Sequence, residues 1–353
     1  MNVLTRRWHV RAGVVAMVAV TVLVGATSAW AKPTINGAGA TAPQLLYEQW
    51  AHDYSAAKIN YNGVGSGAGI AQITNGTVNF GASDKPLTRA VLDASPGLVQ
   101  FPSCVEGIVP IVNIKGVASG RLKLSGAVLA KIYEGSITTW NNSAIKALNP
   151  GLKLPSAKIY TVHRSDSSGT TWIFTHYLQA IDPSGWHWAD MSGSWPGSNT
   201  VGANKSAGVA AEVKSLKGAI GYVEYSYAAT AHIPYAQMKN KTGKFVLPSL
   251  STFTAAGAHA KYTWSNGFAT SLVNMSGKTV WPITGETYIL VRSSQGSYAT
   301  GNAMLKFFNW GLTSAKGIKD ARTLDFVPLP STATKAIKAV WHSKVKAGSK
   351  PCW

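Results

Sequence analysis

The stretch Gly37-Ala38-Gly39-Ala40-Thr41-Ala42-Pro43 runs from a glycine-rich turn into an amphipathic segment, Pro43 to Ala56, whose apolar positions include Leu45, Leu46, Trp50 and Tyr54. Proline suits the first helical turn, where a missing N–H costs nothing, so Thr41 belongs at or beside the N-cap. The same design recurs at Gly63-Val64-Gly65-Ser66-Gly67-Ala68-Gly69, where Ser66 precedes a helix and the glycines let backbone approach a ligand closely. It recurs again at Arg164-Ser165-Asp166-Ser167-Ser168-Gly169-Thr170-Thr171, with Ser168 at the start of a helix carrying Trp172, Ile173 and Tyr177.

Outward from these turns the chain alternates. Short strands are predicted at Lys58 to Tyr61, Val78 to Gly81, Val109 to Ile114, Ile159 to Val162, Ala219 to Val223 and Tyr288 to Val291. Helices are predicted at Gly67 to Asn75, Ala127 to Tyr133, Thr170 to Ala180, Ala303 to Leu312 and Thr334 to Ser343. Alternation of this kind predicts an α/β fold with a mostly parallel sheet. Ser184 to Gly202, dense in Gly, Ser, Trp and Pro, reads as loop.

A helix N-terminus presents unpaired N–H groups and a partial positive charge, so three such ends could converge on one oxyanion. Hydroxyls of Thr41, Ser66, Ser168 and Thr170 would add donors. Arg164 would add a forked, permanently charged clamp, steadied by Asp166. Taken singly, each Ser or Thr is an ordinary cap and the Arg164–Asp166 pair an ordinary surface ion pair; the reading rests on their conjunction. Phe80-Gly81-Ala82-Ser83-Asp84-Lys85-Pro86 adds a carboxylate, which alone would be a turn aspartate. Inside an anion site an ionised Asp only accepts hydrogen bonds. It therefore suits an anion that still carries a proton, such as monobasic or dibasic phosphate, and rejects sulfate.

The first 31 residues read as an export signal: Arg6, Arg7 and Arg11, an apolar run from Gly13 to Ala26, then Ala29-Trp30-Ala31 before Lys32. The apolar run is short for a membrane span. The 353-residue chain carries 33 Lys plus Arg against 14 Asp plus Glu, a formal net charge of +19; past residue 31 it is still 30 against 14. Its basic residues are scattered and match no nucleic-acid motif, so no nucleic-acid partner is expected. The imbalance comes from scarce acids, which suits an acidic surrounding because fewer carboxylates are left to protonate. Cys104 and Cys352 are the two cysteines; an exported protein permits a disulfide between them, and spacing leaves pairing and two separate thiols equally open.

Two other chemistries are weaker. Gly63, Gly65 and Ala68 match a dinucleotide fingerprint with Asp84 about 20 residues on, but Lys85-Pro86 turn chemistry follows Asp84 and an exported protein is a poor place for a nicotinamide. A phosphatase would want a metal cluster or an activated nucleophile. His163 and His176 flank the Arg164 motif without a metal-binding spacing, His187 beside Trp188 suits packing, and Ser66 lacks a nucleophile elbow because position 64 is Val.

At GAGATAP (37–43), YNGVGSGAG (61–69), VNFGASDKPL (78–87), HRSDSSGTT (163–171), GAIGYVEYSYA (218–228), WPITGETYIL (281–290), LKFFNWG (305–311) and LDFVPLP (324–330) the chain resembles the periplasmic phosphate-binding proteins of phosphate ABC importers. The resemblance implies an α/β, two-domain Venus-flytrap fold with mixed sheets flanked by helices and two hinge crossings. It places domain I at 32–112 plus 288–353 and domain II at 113–287. It implies a phosphate site made by the Thr41 hydroxyl, the Ala42 N–H, Ser66, Asp84 as acceptor of the phosphate proton, Arg164 paired with Asp166, and Ser168, Gly169 and Thr170. It further implies a monomeric, non-enzymatic periplasmic receptor without cofactor or metal, whose partners are inorganic phosphate and an ABC permease; arsenate, protonated like phosphate, is not separated by charge. Ala42 stands where the family often has Phe, so an aromatic wall is replaced while a backbone donor is kept.

Overall fold

A computed structural model describes residues 32–95, 97–188 and 195–353. The expected signal segment, 1–31, lies outside them, as does part of the expected loop Ser184 to Gly202. The first lobe begins with β1 (Thr34–Gly39), α1 (Gln44–Asp53), β2 (Lys58–Gly63), α2 (Ser66–Thr74), β3 (Phe80–Ser83) and α3 (Arg89–Ala94). Next comes β4 (Leu98–Val112), which leads into β5 (Lys123–Ser125), α4 (Gly126–Tyr133), α5 (Ser143–Leu148), β6 (Tyr160–Arg164), α6 (Gly169–Ile181), β7 (Thr200–Ala203) and α7 (Lys205–Ser215). β8 (Ala219–Glu224), α8 (Tyr225–Thr230), β9 (Gln237–Lys239), β10 (Phe245–Val246) and α9 (Leu250–Gly257) complete that part. The chain returns through β11 (Thr284–Arg292) and ends with α10 (Tyr298–Thr313), α11 (Ala315–Thr323), α12 (Ser331–Lys344), β12 (Lys346–Ala347) and β13 (Lys350–Pro351).

Eight strands form one curled sheet in the order β2-β1-β3-β11-β4-β8-β6-β7. The sheet is mixed: four of its seven pairings are parallel, as strand–helix alternation predicts, and the three at its centre are antiparallel. β2-β1-β3 and β8-β6-β7 are parallel runs, but β11 is antiparallel to both β3 and β4, and β4 is antiparallel to β8. The two strands that carry the chain between lobes run against the strands they join, which is why the α/β alternation in sequence does not give a parallel centre.

β4 is the seam. Leu98 to Gly107 pair with β11, and Ile108 to Val112 pair with β8. Beside the exchange the returning chain is tied down: the Ile108 N–H donates to Ile283 O at 2.8 Å and the Trp281 indole donates to Ile108 O at 2.9 Å. Pro102 lacks a ladder N–H, and it is accommodated next to a bulge at Ser103, where the register shifts between Thr287 and Tyr288.

Aromatic packing fills both lobes. Tyr47, Phe80, Phe101 and Phe308 interlock edge-to-face in the first, and Tyr133, Phe174 and Tyr222 pack in the second. The two cysteines are separate, buried free thiols, so the pairing left open by the sequence is not made. Cys104 packs in β4 beside Ser103, whereas Cys352 packs against α10 at Gly301. No described helix is long and apolar enough to cross a membrane.

Candidate anion site at the seam

The three glycine-rich turns meet where the lobes touch. α6 begins at Gly169 with Ser168 as N-cap, whose Oγ accepts from the Thr171 N–H at 3.2 Å and keeps its own proton free to donate. α2 begins at Ser66 itself, with Gly65 as N-cap. The Ser66 Oγ accepts from the Gly169 N–H at 3.0 Å and from the Asp84 N–H at 3.3 Å, so one hydroxyl links the two lobes. Glycine at 169 is required for this approach, since a Cβ there would lie 2.5 Å from Ser66 Oγ and 2.7 Å from Asp84 N. α1 begins one residue later than expected: Pro43 is the N-cap, and Thr41 and Ala42 form the turn before it. Thr41, Ala42, Ser66, Asp84, Arg164, Ser168, Gly169 and Thr170 are all buried.

Arg164, at the end of β6, is held on every side. Its Nε donates to Asp166 Oδ1 at 2.6 Å and a second guanidinium nitrogen donates to Asp166 Oδ2, a bidentate pair. The remaining nitrogen donates to Thr41 Oγ1 at 3.1 Å and to Ser206 Oγ at 3.2 Å. Burial works against the guanidinium charge, and the Asp166 contact outweighs it, so Arg164 holds its proton more tightly than usual. Burial likewise pushes Asp166 up, but Arg164 and the Lys205 N–H keep its carboxyl below the usual range.

Ser206 and Lys205 open α7, a fourth helix N-terminus at the same place and one that the sequence reading missed. Ser206 Oγ and Thr41 Oγ1 are 2.9 Å apart, and the Ser206 N–H donates to Thr41 Oγ1 at 3.4 Å. The one available signal was Gly202-Ala203-Asn204-Lys205-Ser206, another small-residue turn with an Asn before a helix. Tyr227 of α8, also missed, donates to Thr41 O at 2.8 Å and adds another bond between lobes.

The acidic side differs. Asp84 Oδ1 accepts from the Thr287 hydroxyl at 2.7 Å, whereas Oδ2 is buried with no hydrogen-bond partner among the described residues. Burial first, and the nearby Glu224 second, push Asp84 up to about 7, against the Thr287 bond and the Arg164 charge. Thr170 donates to Glu224 Oε1 at 2.5 Å, and Glu224 Oε2 is unpartnered. Glu106 and Glu224 were not singled out from the sequence. Among the described residues no cluster of His, Cys, Asp and Glu has the makings of a metal site. His163 stacks on Trp195 and His176 lies on Trp172, as packing residues would.

Such an arrangement suits a small, partly protonated oxyanion. It offers helix-start N–H groups, hydroxyls with protons to give, one fixed cation and one carboxylate acceptor. A family model described as the PBP superfamily domain matches residues 24–314. The phosphate-binding protein PstS of Xylella fastidiosa (strain 9a5c) is 43% identical over 320 residues, covering 88% of this chain and 86% of that protein. PstS of Methanocaldococcus jannaschii is 36% identical over 310 residues, covering 80% and 79%. Among solved structures, the high-affinity periplasmic phosphate-binding protein PfluDING bound with phosphate superimposes with a TM-score of 0.75 at 26% identity, covering 89% of this chain and 96% of that one. The chain belongs to the PBP superfamily and, within it, to the family of phosphate-binding proteins named PstS.

Proposed function

We propose that this protein is an exported receptor that captures inorganic phosphate between its lobes and passes it to an ABC importer. The observation that carries the reading is the buried meeting of Arg164 with the starts of α1, α2 and α6, drawn from both lobes, around a carboxylate that suits a P–OH. Thr41, the Ala42 N–H, Ser66, Ser168, Gly169 and Thr170 donate to the anion, Arg164 supplies charge, and Asp166 fixes the guanidinium. Asp84 and the anion share a proton, and sulfate has none to share.

The moving parts are domain I, 32–112 plus 288–353, and domain II, 113–287. The change of strand partners between Gly107 and Ile108, and the return at Ile283 and Thr284, support these edges to within a few residues. Ligand contacts from both lobes favour the closed form and shift the population toward it. A permease that reads the closed surface would receive the loaded receptor, acting as a monomer in the periplasm. Binding proceeds without chemistry.

Isothermal titration of anion-stripped protein tests the reading. One-site phosphate binding at about micromolar Kd or tighter, with no sulfate heat, is expected. Absence of phosphate heat on folded protein would end the receptor reading. Turnover of a chromogenic phosphate ester would replace it with a hydrolase.

A further inference from the structure

Glu106 lies on β4 immediately before the exchange of partners, and the register fixes what it faces. Residues paired across a sheet share a face, so Glu106 stands on the same face as Cys104 of its own strand, Gly285 and Thr287 of β11, and Glu224 of β8, which is paired with Ile108. α6 covers that face: a Cβ at Gly285 would lie 2.2 Å from Ile173, so glycine lets the helix close over Glu106. Asp84 is hooked to Thr287 and Thr170 to Glu224. Glu106 therefore sits between the two carboxylates that flank the proposed anion position. It is 1% exposed, and neither of its oxygens has a hydrogen-bond partner among the described residues.

We propose that Glu106 is a proton-holding positioning residue of the phosphate site, so that capture of the anion depends on a proton kept on this carboxyl and weakens as it is lost. This rests on the phosphate reading above. Three ionised carboxylates beside one guanidinium already matched by Asp166 would leave a buried site strongly negative before any anion arrived. A neutral Glu106 removes one of those charges. Its O–H would also add a donor on the face where Asp84 Oδ2 and Glu224 Oε2 lack one, since each accepts and cannot donate when ionised.

Burial and the two neighbouring carboxylates disfavour a charge on Glu106, and one neighbouring hydroxyl opposes them. Asp84 from the turn after β3 and Glu224 from β8 both disfavour its charge, as does burial, the largest influence. Cys104, Tyr61 of β2 and Tyr227 of α8 are the other titratable neighbours. β11 contributes the Thr287 hydroxyl, the one neighbour that favours ionisation, and α6 contributes Thr170 and Ile173. Arg164 acts beyond them, on Asp84 and Glu224.

The test compares phosphate Kd by titration calorimetry from pH 6 to 9.5 in the wild type, Glu106→Gln and Glu106→Ala. Phosphate's own ionisation is common to all three and cancels in the comparison. Gln keeps the shape and a donor but has no proton to lose. Wild type and Glu106→Gln should agree within about threefold at pH 6, and by pH 9.5 the wild type should have weakened at least about tenfold more, the effect of one proton per pH unit. Glu106→Ala should bind weakly at every pH. Parallel pH profiles for wild type and Glu106→Gln would overturn the proposal, while phosphate binding itself would stand. No binding by the wild type at any pH would instead remove the receptor reading, and this proposal with it. If Glu106→Gln does not fold, carboxyl carbon-13 glutamate spectra of protein with Glu106 intact decide. In a Glu286→Gln background, which removes the other raised glutamate, a buried carboxyl that stays protonated above neutral pH, and higher still with phosphate, supports the proposal; glutamates that all titrate in the ordinary range overturn it.

Discussion

The two sides of the seam treat charge in opposite ways. Around Arg164 each nitrogen of the guanidinium has an acceptor: Asp166 takes two, Thr41 and Ser206 share the third, and the Lys205 N–H steadies Asp166 from behind. Around Asp84, Glu106 and Glu224 four buried oxygens have no partner among the described residues. The satisfied side is rigid and keeps its charge at any ordinary pH. The unsatisfied side holds acceptors without a donor, and the proposed reading of the anion's protonation rests there. On the proposed reading, position and charge come from one side and discrimination from the other.

Removing the cation breaks this contrast most severely. Arg164→Ala should weaken phosphate binding by more than about 100-fold, the scale of a lost buried charged contact; titration showing near-normal affinity would refute the site assignment. Asp166→Asn leaves the cation but loosens its frame, and a loss of about tenfold in Kd is expected. Asp84→Asn acts on the other side. Phosphate affinity should stay within about tenfold while sulfate begins to compete, and competition assays with the two anions read this directly.

A finer test concerns stability of the anion-free protein. Burial pushes both Asp84 and Glu286 up to about 7 in the fold, while unfolded carboxyls titrate near about 4. Between those values the folded chain binds more protons than the unfolded one, so stability falls as pH rises. The contribution is full below the unfolded value and gone above about pH 7. A melting temperature several degrees higher at pH 5 than at pH 8 is expected, and calorimetric scans that rise over this interval would contradict it. Asp166 behaves oppositely, since its contribution is lost only as pH falls through and below the ordinary carboxylate range. The smallest expected effect is in thiol counting: two labelled cysteines per denatured chain, unchanged by reductant.

What was legible in the sequence was local. Helix starts leave marks within a few residues, so the positions of Ser66 and Ser168 at helix starts and the Arg164–Asp166 pairing were legible from turn chemistry. Asp84, alone a turn aspartate, was singled out only through its conjunction with the other turns. Ser206 carries a helix-start mark in Gly202 to Lys205; Tyr227, Thr287, Glu106 and Glu224 carry none, because sheet register and helix packing bring them together across long stretches of chain. β4 was recognised only from Val109 onward. Its earlier half carries Gln100, Pro102, Ser103 and Glu106, which interrupt the apolar run expected of a central strand, and it is those polar residues that serve the seam. The antiparallel centre of the sheet was not legible for a related reason: strand alternation along the chain says nothing about which strands cross between lobes.

Trp281 has a mechanical consequence. Its indole is fully buried and fastened to Ile108 where β4 changes partners. In a hinged receptor that point acts as a fulcrum, and the strands that carry Glu106, Thr287 and Glu224 leave from it on either side. Trimming or reshaping a side chain at a fulcrum alters the angle at which the levers rest. Phosphate affinity could therefore be tuned through Trp281 while every group that touches the anion is left as it is.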